Sequence, residues 1–356
     1  MLNLPLLYFT YFTLVFVLSI LMNSLFLRFS RTMGIRKSEG TIRWSDIYKP
    51  ALGGITFYIT FLLSLVAYTL FFQSSNLLLH SEILGLLAAC TVAFLAGLAD
   101  DAYDTNPILK FSSQVFCGIL LIYSGIYIQV FPNIYFNYIM TMLWVVGLMN
   151  AINLLDNMDA IASIVVLAAL STMISLILIE KSVTSVFFIL MLGTSSAILA
   201  FLFFNWHPSK MYMGDTGTQF LGAFMAALSI LFLWNASSES KLMPPDQKVL
   251  SAIITFALPI IDTTVVFFNR LLKGTSPFTG GKDHTTHHLF YLGLNEPQIA
   301  VLYIAYSSIC VSLVVFMNKY ISSWSNIHTI IMASFFLISL ITFFVITKIK
   351  KKRNVI

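Results

Sequence analysis

The sequence predicts an all-α, polytopic membrane protein with about eleven transmembrane helices in a single integral-membrane domain, residues 1–356. Three observations predict it. Hydrophobic residues make up 58% of the chain and charged residues only 10%, against about 25% charged in a soluble domain. Mean hydropathy is +0.88. Apolar runs of about 20 residues, long enough to cross ~30 Å of hydrocarbon, recur from end to end. The ~10-residue alternating segments of a β-barrel are not found.

The predicted spans, in order, are 5–27, 51–72, 81–99, 111–130, 134–152, 160–179, 183–205, 216–235, 248–268, 298–318 and 325–347. The first lacks a basic leading region and a small-residue cleavage site, so it reads as a retained helix rather than a signal peptide. Lys49-Pro50 and Gly53-Gly54 open the second. Glu82 sits at the start of the third, and Asp100, Asp101 and Asp104 follow it. Lys110 precedes the fourth. The fifth runs into Asn150-Ala151-Ile152-Asn153-Leu154-Leu155-Asp156-Asn157-Met158-Asp159, after which the sixth begins. Glu180 and Lys181 separate the sixth from the seventh. Met213-Gly214-Asp215-Thr216-Gly217 leads into the eighth, and Glu239, Lys241 and Asp246 precede the ninth. Asp262 lies near its end, and Arg270, Lys273, Lys282, Asp283, His284, His287 and His288 follow it. Lys319 and the basic tail Lys348–Arg353 bound the last two.

Eleven spans place the termini on opposite sides. The segment 28–50 carries Arg28, Arg31, Arg36, Lys37, Arg43 and Lys49, and the tail carries five more cations. The positive-inside rule therefore puts the N-terminus outside and the C-terminus in the cytoplasm. On that topology sixteen of the 20 lysines and arginines lie inside, and Lys181, Lys241, Lys248 and Lys319 lie outside. The net charge of +5 then reflects attraction to an anionic membrane leaflet, not to nucleic acid. Cys90, Cys117 and Cys310 all fall within spans and suggest neither a disulfide framework nor a metal site. No internal repeat points to a transporter.

Most of the acidic residues and of the histidines gather at one face, the cytoplasmic one by this topology; the outer loops hold only Glu82, Glu180, Glu239 and Asp246 among acids. A carboxylate beside hydrocarbon is costly and is a functional candidate by default. Asn150, Asn153, Asp156 and Asp159 step by three, drifting about −60° around a helix at each step, so they line one concave wall. Amides and carboxylates without an adjacent base suit a divalent cation and a nucleobase or sugar better than a nucleophile. Asp100 and Asp101 are neighbours pointing about 100° apart, so one suits a base or ligand while the other holds a lysine or substrate hydroxyl. Asp215 lies between two glycines at a span start, where backbone can approach a ligand and a helix N-terminus favours phosphate. It is the foremost candidate for a magnesium ligand. The His-x-x-His-His segment lacks the glutamate of H-E-x-x-H, which argues against a zinc protease. With Arg270, Lys273 and Lys282 nearby it reads as a phosphate-binding loop. His80, His207 and His328 read as incidental, and Gly53-Gly54 either as a weak turn signal or, at least equally, as a helix start with a close helix contact.

Taken together, these motifs resemble the polyprenyl-phosphate N-acetylhexosamine-1-phosphate transferases, the family that includes the phospho-N-acetylmuramoyl-pentapeptide translocases. The resemblance runs from Lys49 to His288 in the family's order. It implies transfer of a sugar-1-phosphate from a UDP-amino sugar to undecaprenyl phosphate, with release of UMP, at the plasma (inner) membrane as a first step of cell-wall or surface-polysaccharide synthesis. It implies Mg2+ as the required ion, with Mn2+ the alternative, membrane lipid as a partner, and a homodimer as a compatible state. Carried over, Asp100 is the base for the lipid phosphate, Asp101 its partner carboxylate, and Lys110 the lysine that meets the pyrophosphate. Asp215 is the metal ligand, and Asn153 contacts metal or pyrophosphate. Asp159 reads the uracil, with Asn150 and Asp156 in the nucleotide wall. Lys49, Arg270, Asp283, His284, His287 and His288 complete the substrate-binding set.

Two departures stand out. The family's Asp-Gly-x-Asp-Gly run is Asp-Asn-Met-Asp-Ala here, with Asn157 and Ala160 in place of glycines. The histidine segment is shorter than in the muramoyl-pentapeptide branch, which favours UDP-N-acetylglucosamine or a related sugar as donor.

Overall fold

A computed structural model describes residues 3–32, 49–72, 80–237, 243–276 and 281–349. Those residues form α1 (Leu4–Thr32), α2 (Gly53–Phe72), α3 (Ser81–Tyr103), α4 (Pro107–Tyr123), α5 (Ile134–Leu155), α6 (Ile161–Ile179), α7 (Val186–Asn205) and α8 (Gly214–Ser229), which runs on through a wider π-type turn to Trp234. They continue with α9 (Pro245–Thr255), α10 (Ala257–Leu272), α11 (Thr285–Tyr291), α12 (Glu296–Tyr320) and α13 (Asn326–Ile346). No strand occurs among them beyond an isolated bridge between Ala51 and Tyr212. Among the described residues nine helices are long and apolar enough to cross a membrane, ten if the bent pair α9–α10 is one span, so this is an all-α, multi-pass membrane protein.

Three elements differ from the sequence expectation. The span expected at 248–268 is two helices, α9 and α10, bent by 75° at Phe256. Pro259 explains the break: it has no N–H to donate to Thr255, and its ring crowds that carbonyl. The span expected at 111–130 starts earlier, at Pro107, where the Asn106 side chain accepts from the Ile108 N–H at 2.9 Å. It ends at Tyr123, short of a full crossing. Finally, the histidine segment expected as a loop contains the short helix α11. Arg36, Lys37, Arg43 and Lys350–Arg353, which set the expected orientation, lie outside the described residues, as do Glu239, Lys241 and Gly280.

Helix α8 is the centre of the bundle. Its apolar window is 89% buried, against 11% for peripheral α13. It packs on α2, α3 and α5, and small residues set how closely. A Cβ on Gly54 would overlap the Gly217 backbone, and one on Gly97 would overlap that of Asp215. Of the two readings of Gly53-Gly54, the structure shows the helix start with a close helix contact. This packing fixes the first residues of α8 against the last turn of α3.

Candidate functional site

The last turn of α3, the first turns of α4, the end of α5 and the start of α8 meet at one end of the bundle. Asp101 organises the junction. Its Oδ1 accepts from the Asp215 N–H (2.9 Å), and its Oδ2 from the Thr216 N–H (2.8 Å) and hydroxyl (2.7 Å). It therefore caps α8 from another helix, satisfying N–H groups that the helix start leaves open. Gly214 precedes them at φ +70°, where a side chain would also strike the Asp101 carboxylate.

Around this cap sits the first cluster. Lys110 Nζ lies 3.1 Å from both Asp100 Oδ2 and Asp215 Oδ2. The other Asp100 oxygen accepts from the Thr105 N–H (3.0 Å) and hydroxyl. Asn153 donates its amide to Asp215 and to Thr218 Oγ1 (2.7 Å). Asn150, one step back on α5, donates to Gln114 Oε1 (2.7 Å) and accepts from Gln114 Nε2 (3.1 Å), which also reaches Gln219. Its contacts thus form an interhelical polar network rather than part of the carboxylate cluster. Asp156 closes α5, its N–H donating to the Asn153 carbonyl at 3.3 Å.

A second cluster surrounds Asp159, which is 8% exposed. Ser209 donates to it from both its N–H (3.0 Å) and its hydroxyl (2.7 Å). Lys49 Nζ is 3.6 Å away, donates to Ser209 Oγ at 2.8 Å, and lies over the Tyr212 ring. His207 Nδ1 lies 3.2 Å from Asp159 and 2.7 Å from Glu296. His207 is therefore not incidental: it links the α5–α6 turn to the start of α12. The next residue, Ala160, adopts φ +68° and is buried, with its N–H on Asn205 Oδ1 at 3.0 Å. A residue with a Cβ thus holds the left-handed conformation that glycine adopts most readily, at a cost of about 1–2 kcal/mol. Ala160→Gly should therefore raise stability by about 0.5–1 kcal/mol in thermal unfolding of the detergent-solubilised protein. A lower unfolding temperature would mean that the lost methyl packing outweighs the relieved backbone.

The third cluster is built on Asp262, 1% exposed in α10. Its Oδ1 accepts from the Thr285 N–H (2.8 Å) and hydroxyl (2.6 Å), and its Oδ2 lies 2.8 Å from His284 Nδ1. Thr285 also meets the Tyr303 hydroxyl at 2.8 Å. Burial pulls the His284 pKa down, but the charge and hydrogen bond of Asp262 outweigh it and hold the imidazole above its ordinary value. His287, whose Nδ1 accepts from the His284 N–H at 3.2 Å, is pushed down to about 3 by burial and by His284. His288 packs edge-on against Tyr291. Arg270, 4% exposed, forks onto Asp283 through Nε (2.9 Å) and Nη2 (2.7 Å). Burial raises the Asp283 pKa, but Arg270 more than reverses this and holds the carboxyl below its usual range.

Of the residues singled out in the sequence, Asp100, Asp101, Lys110, Asn153 and Asp215 thus come together in one cluster. Lys49 and Asp159 meet in a second, and Arg270, Asp283, His284 and His287 in a third. Sequence reasoning placed Asp262 among the polar residues at this face without giving it the anchoring part, and passed over the linking parts of His207 and Glu296. Only Asp262 carried a local signal, as a carboxylate inside the apolar stretch Leu258–Val266.

Comparison with known proteins points one way. A family model described as glycosyl transferase family 4 matches residues 83–233, a segment holding the whole first cluster. The chain is similar to a probable undecaprenyl-phosphate N-acetylglucosaminyl 1-phosphate transferase of Bacillus subtilis, 27% identical over 82% of this chain and 79% of the relative. It is similar to the undecaprenyl-phosphate alpha-N-acetylglucosaminyl 1-phosphate transferase of Escherichia coli, 26% identical over 79% and 77%. A phospho-N-acetylmuramoyl-pentapeptide-transferase of Streptococcus agalactiae is 28% identical over 60% and 70%.

Proposed function

Because the chain is a member of glycosyl transferase family 4, we propose that it moves a sugar-1-phosphate onto a polyprenyl phosphate. The acceptor is undecaprenyl phosphate and the donor a UDP-N-acetylamino sugar, N-acetylglucosamine first among them. An oxygen of the lipid phosphate attacks the sugar-bearing phosphorus, the pyrophosphate P–O bond breaks, and UMP leaves. The observation that carries this reading is Lys110 held at 3.1 Å from both Asp100 and Asp215, with Asn153 on Asp215. Lys110 and Asn153 both offer donors for phosphate oxygens, and positioning with electrostatic stabilisation is most of what phosphoryl transfer needs.

The donor set of this cluster fits Mg2+. Three carboxylates (Asp100, Asp101 and Asp215) stand against one lysine, so the cluster alone repels a pyrophosphate. Carboxylate and amide oxygens are the hard donors that Mg2+ takes, and Mn2+ accepts the same set. Asp215 and Asn153 would hold the ion, which when bound neutralises charge on the pyrophosphate as the bond breaks. Asp101 keeps Asp215 in place through the α8 cap. Asp100 orients Lys110 and is the carboxylate suited to take a proton from the lipid phosphate. Lys49, Asp159 and the histidine segment form the donor side. The site faces the cytoplasm of the plasma membrane in this reading, where a soluble nucleotide meets a lipid-borne phosphate.

The test is to incubate purified protein with undecaprenyl phosphate, Mg2+ and a panel of UDP-sugars, and to follow UMP. Release with UDP-N-acetylglucosamine is the expected result. No release with any sugar overturns the transferase reading, and release with another amino sugar alone corrects the donor.

A further inference from the structure

We propose that Asn157 is a positioning residue whose carboxamide ties the turn after α5 to α11 and so fixes the histidine segment against the donor substrate. The inference rests on the transferase reading above. The Thr286 hydroxyl, fully buried, donates to Asn157 Oδ1 at 2.6 Å. The same amide donates through Nδ2 to the Leu154 carbonyl at 2.8 Å. Both ends of the carboxamide are used, one on α5 and one on α11, and neither bond can form with the glycine that the resemblance leads one to expect.

The place of this tie gives it consequence. One turn earlier on α5, Asn153 holds Asp215. Two residues later, Asp159 carries the second cluster. The Asn157–Thr286 bond therefore joins the short stretch that touches the first and second clusters to the segment built on Asp262. Thr286 lies between Thr285, which Asp262 holds, and His287. A shift at residue 286 thus moves both histidines that flank it.

Full-length protein assayed for UMP release over a range of UDP-sugar concentrations tests the proposal. Asn157→Gly, which removes the bond to Thr286 and the local bond to Leu154, should raise KM for the UDP-sugar about tenfold and leave kcat within about threefold. Thr286→Val, close in shape but without the hydroxyl, should do the same, and Thr286→Ser should keep the wild-type KM. Combining Asn157→Gly with Thr286→Val should cost no more than Asn157→Gly alone, because both remove the same Asn157–Thr286 bond. Additive losses, an unchanged KM, or a fall confined to kcat would overturn the tie. Hydrogen exchange provides a readout independent of turnover: both variants should speed exchange of the α11 amides, and unchanged protection also counts against it. Wild-type protein that releases no UMP condemns the transferase reading instead, and the exchange result then judges the tie alone.

Discussion

Asp215→Asn is expected to lower kcat for UMP release at least about 10³-fold while leaving the protein folded. Both halves of the expectation come from the contacts of this one residue. Its carboxylate oxygens are the ones that Lys110 and Asn153 address. An amide there gives Lys110 only Asp100 to pair with, sets one amide against another at Asn153, and removes the negative charge that would hold a divalent cation. The backbone N–H of residue 215, by contrast, is what Asp101 grips, and asparagine keeps it. The start of α8 should therefore stay in place, and the unfolding temperature should move little. The check is kcat and thermal unfolding measured on the same preparation. A kcat within tenfold of wild type would take Asp215 out of the reacting centre. A collapse of stability would mean that its charge serves the fold.

The arrangement explains why two adjacent aspartates on α3 need not duplicate each other. Neighbours on a helix point about 100° apart. Asp100 turns toward α4 and takes Lys110, while Asp101 turns toward α8 and caps it. Close approach of α3 and α8 at Gly97 makes the second contact geometrically feasible. The glycines are thus part of the site's construction although they offer no functional group.

How far this was legible in the sequence depends on the range of the interaction. The membrane class and nearly every helix follow from runs of apolar residues, a local property. The bend at Phe256 was missed because hydropathy measures length, whereas the break is set by the missing N–H of Pro259. The stripe from Asn150 to Asp159 was recognisable as costly polarity, but not where each member looks. A step of three turns the side chain by about 60°, enough to send Asn150 to Gln114 on α4 and Asn153 to Asp215 on α8. His207 looked incidental because its partners are 48 residues before it and on α12. The helical form of the histidine segment depends on a cap from Asp262, 23 residues before Thr285. Helix propensity over seven residues could not indicate that.

That cap yields the second large effect. Asp262→Ala should destabilise the protein by about 3–5 kcal/mol, the usual cost of removing one partner of a buried ion pair. The carboxylate is 1% exposed and receives His284 together with both donors of Thr285. Without it the buried His284 ring loses the partner that favours its protonated form, and α11 its first-turn acceptor. The histidine segment should then exchange its amide hydrogens faster, and KM for the UDP-sugar should rise. The pH dependence follows from the sign of the His284 shift. Its folded pKa lies above the unfolded value of 6.5, so the stabilisation is complete below that value and is lost as pH rises through the folded pKa. Asp262→Ala lacks this contribution at every pH. The gap in unfolding temperature between wild type and variant should therefore narrow as pH rises above 6.5 and through the folded pKa. A gap that stays constant would show that the carboxylate acts only through Thr285. Unchanged amide protection in α11 would show that the segment is held by α12 and α13 instead.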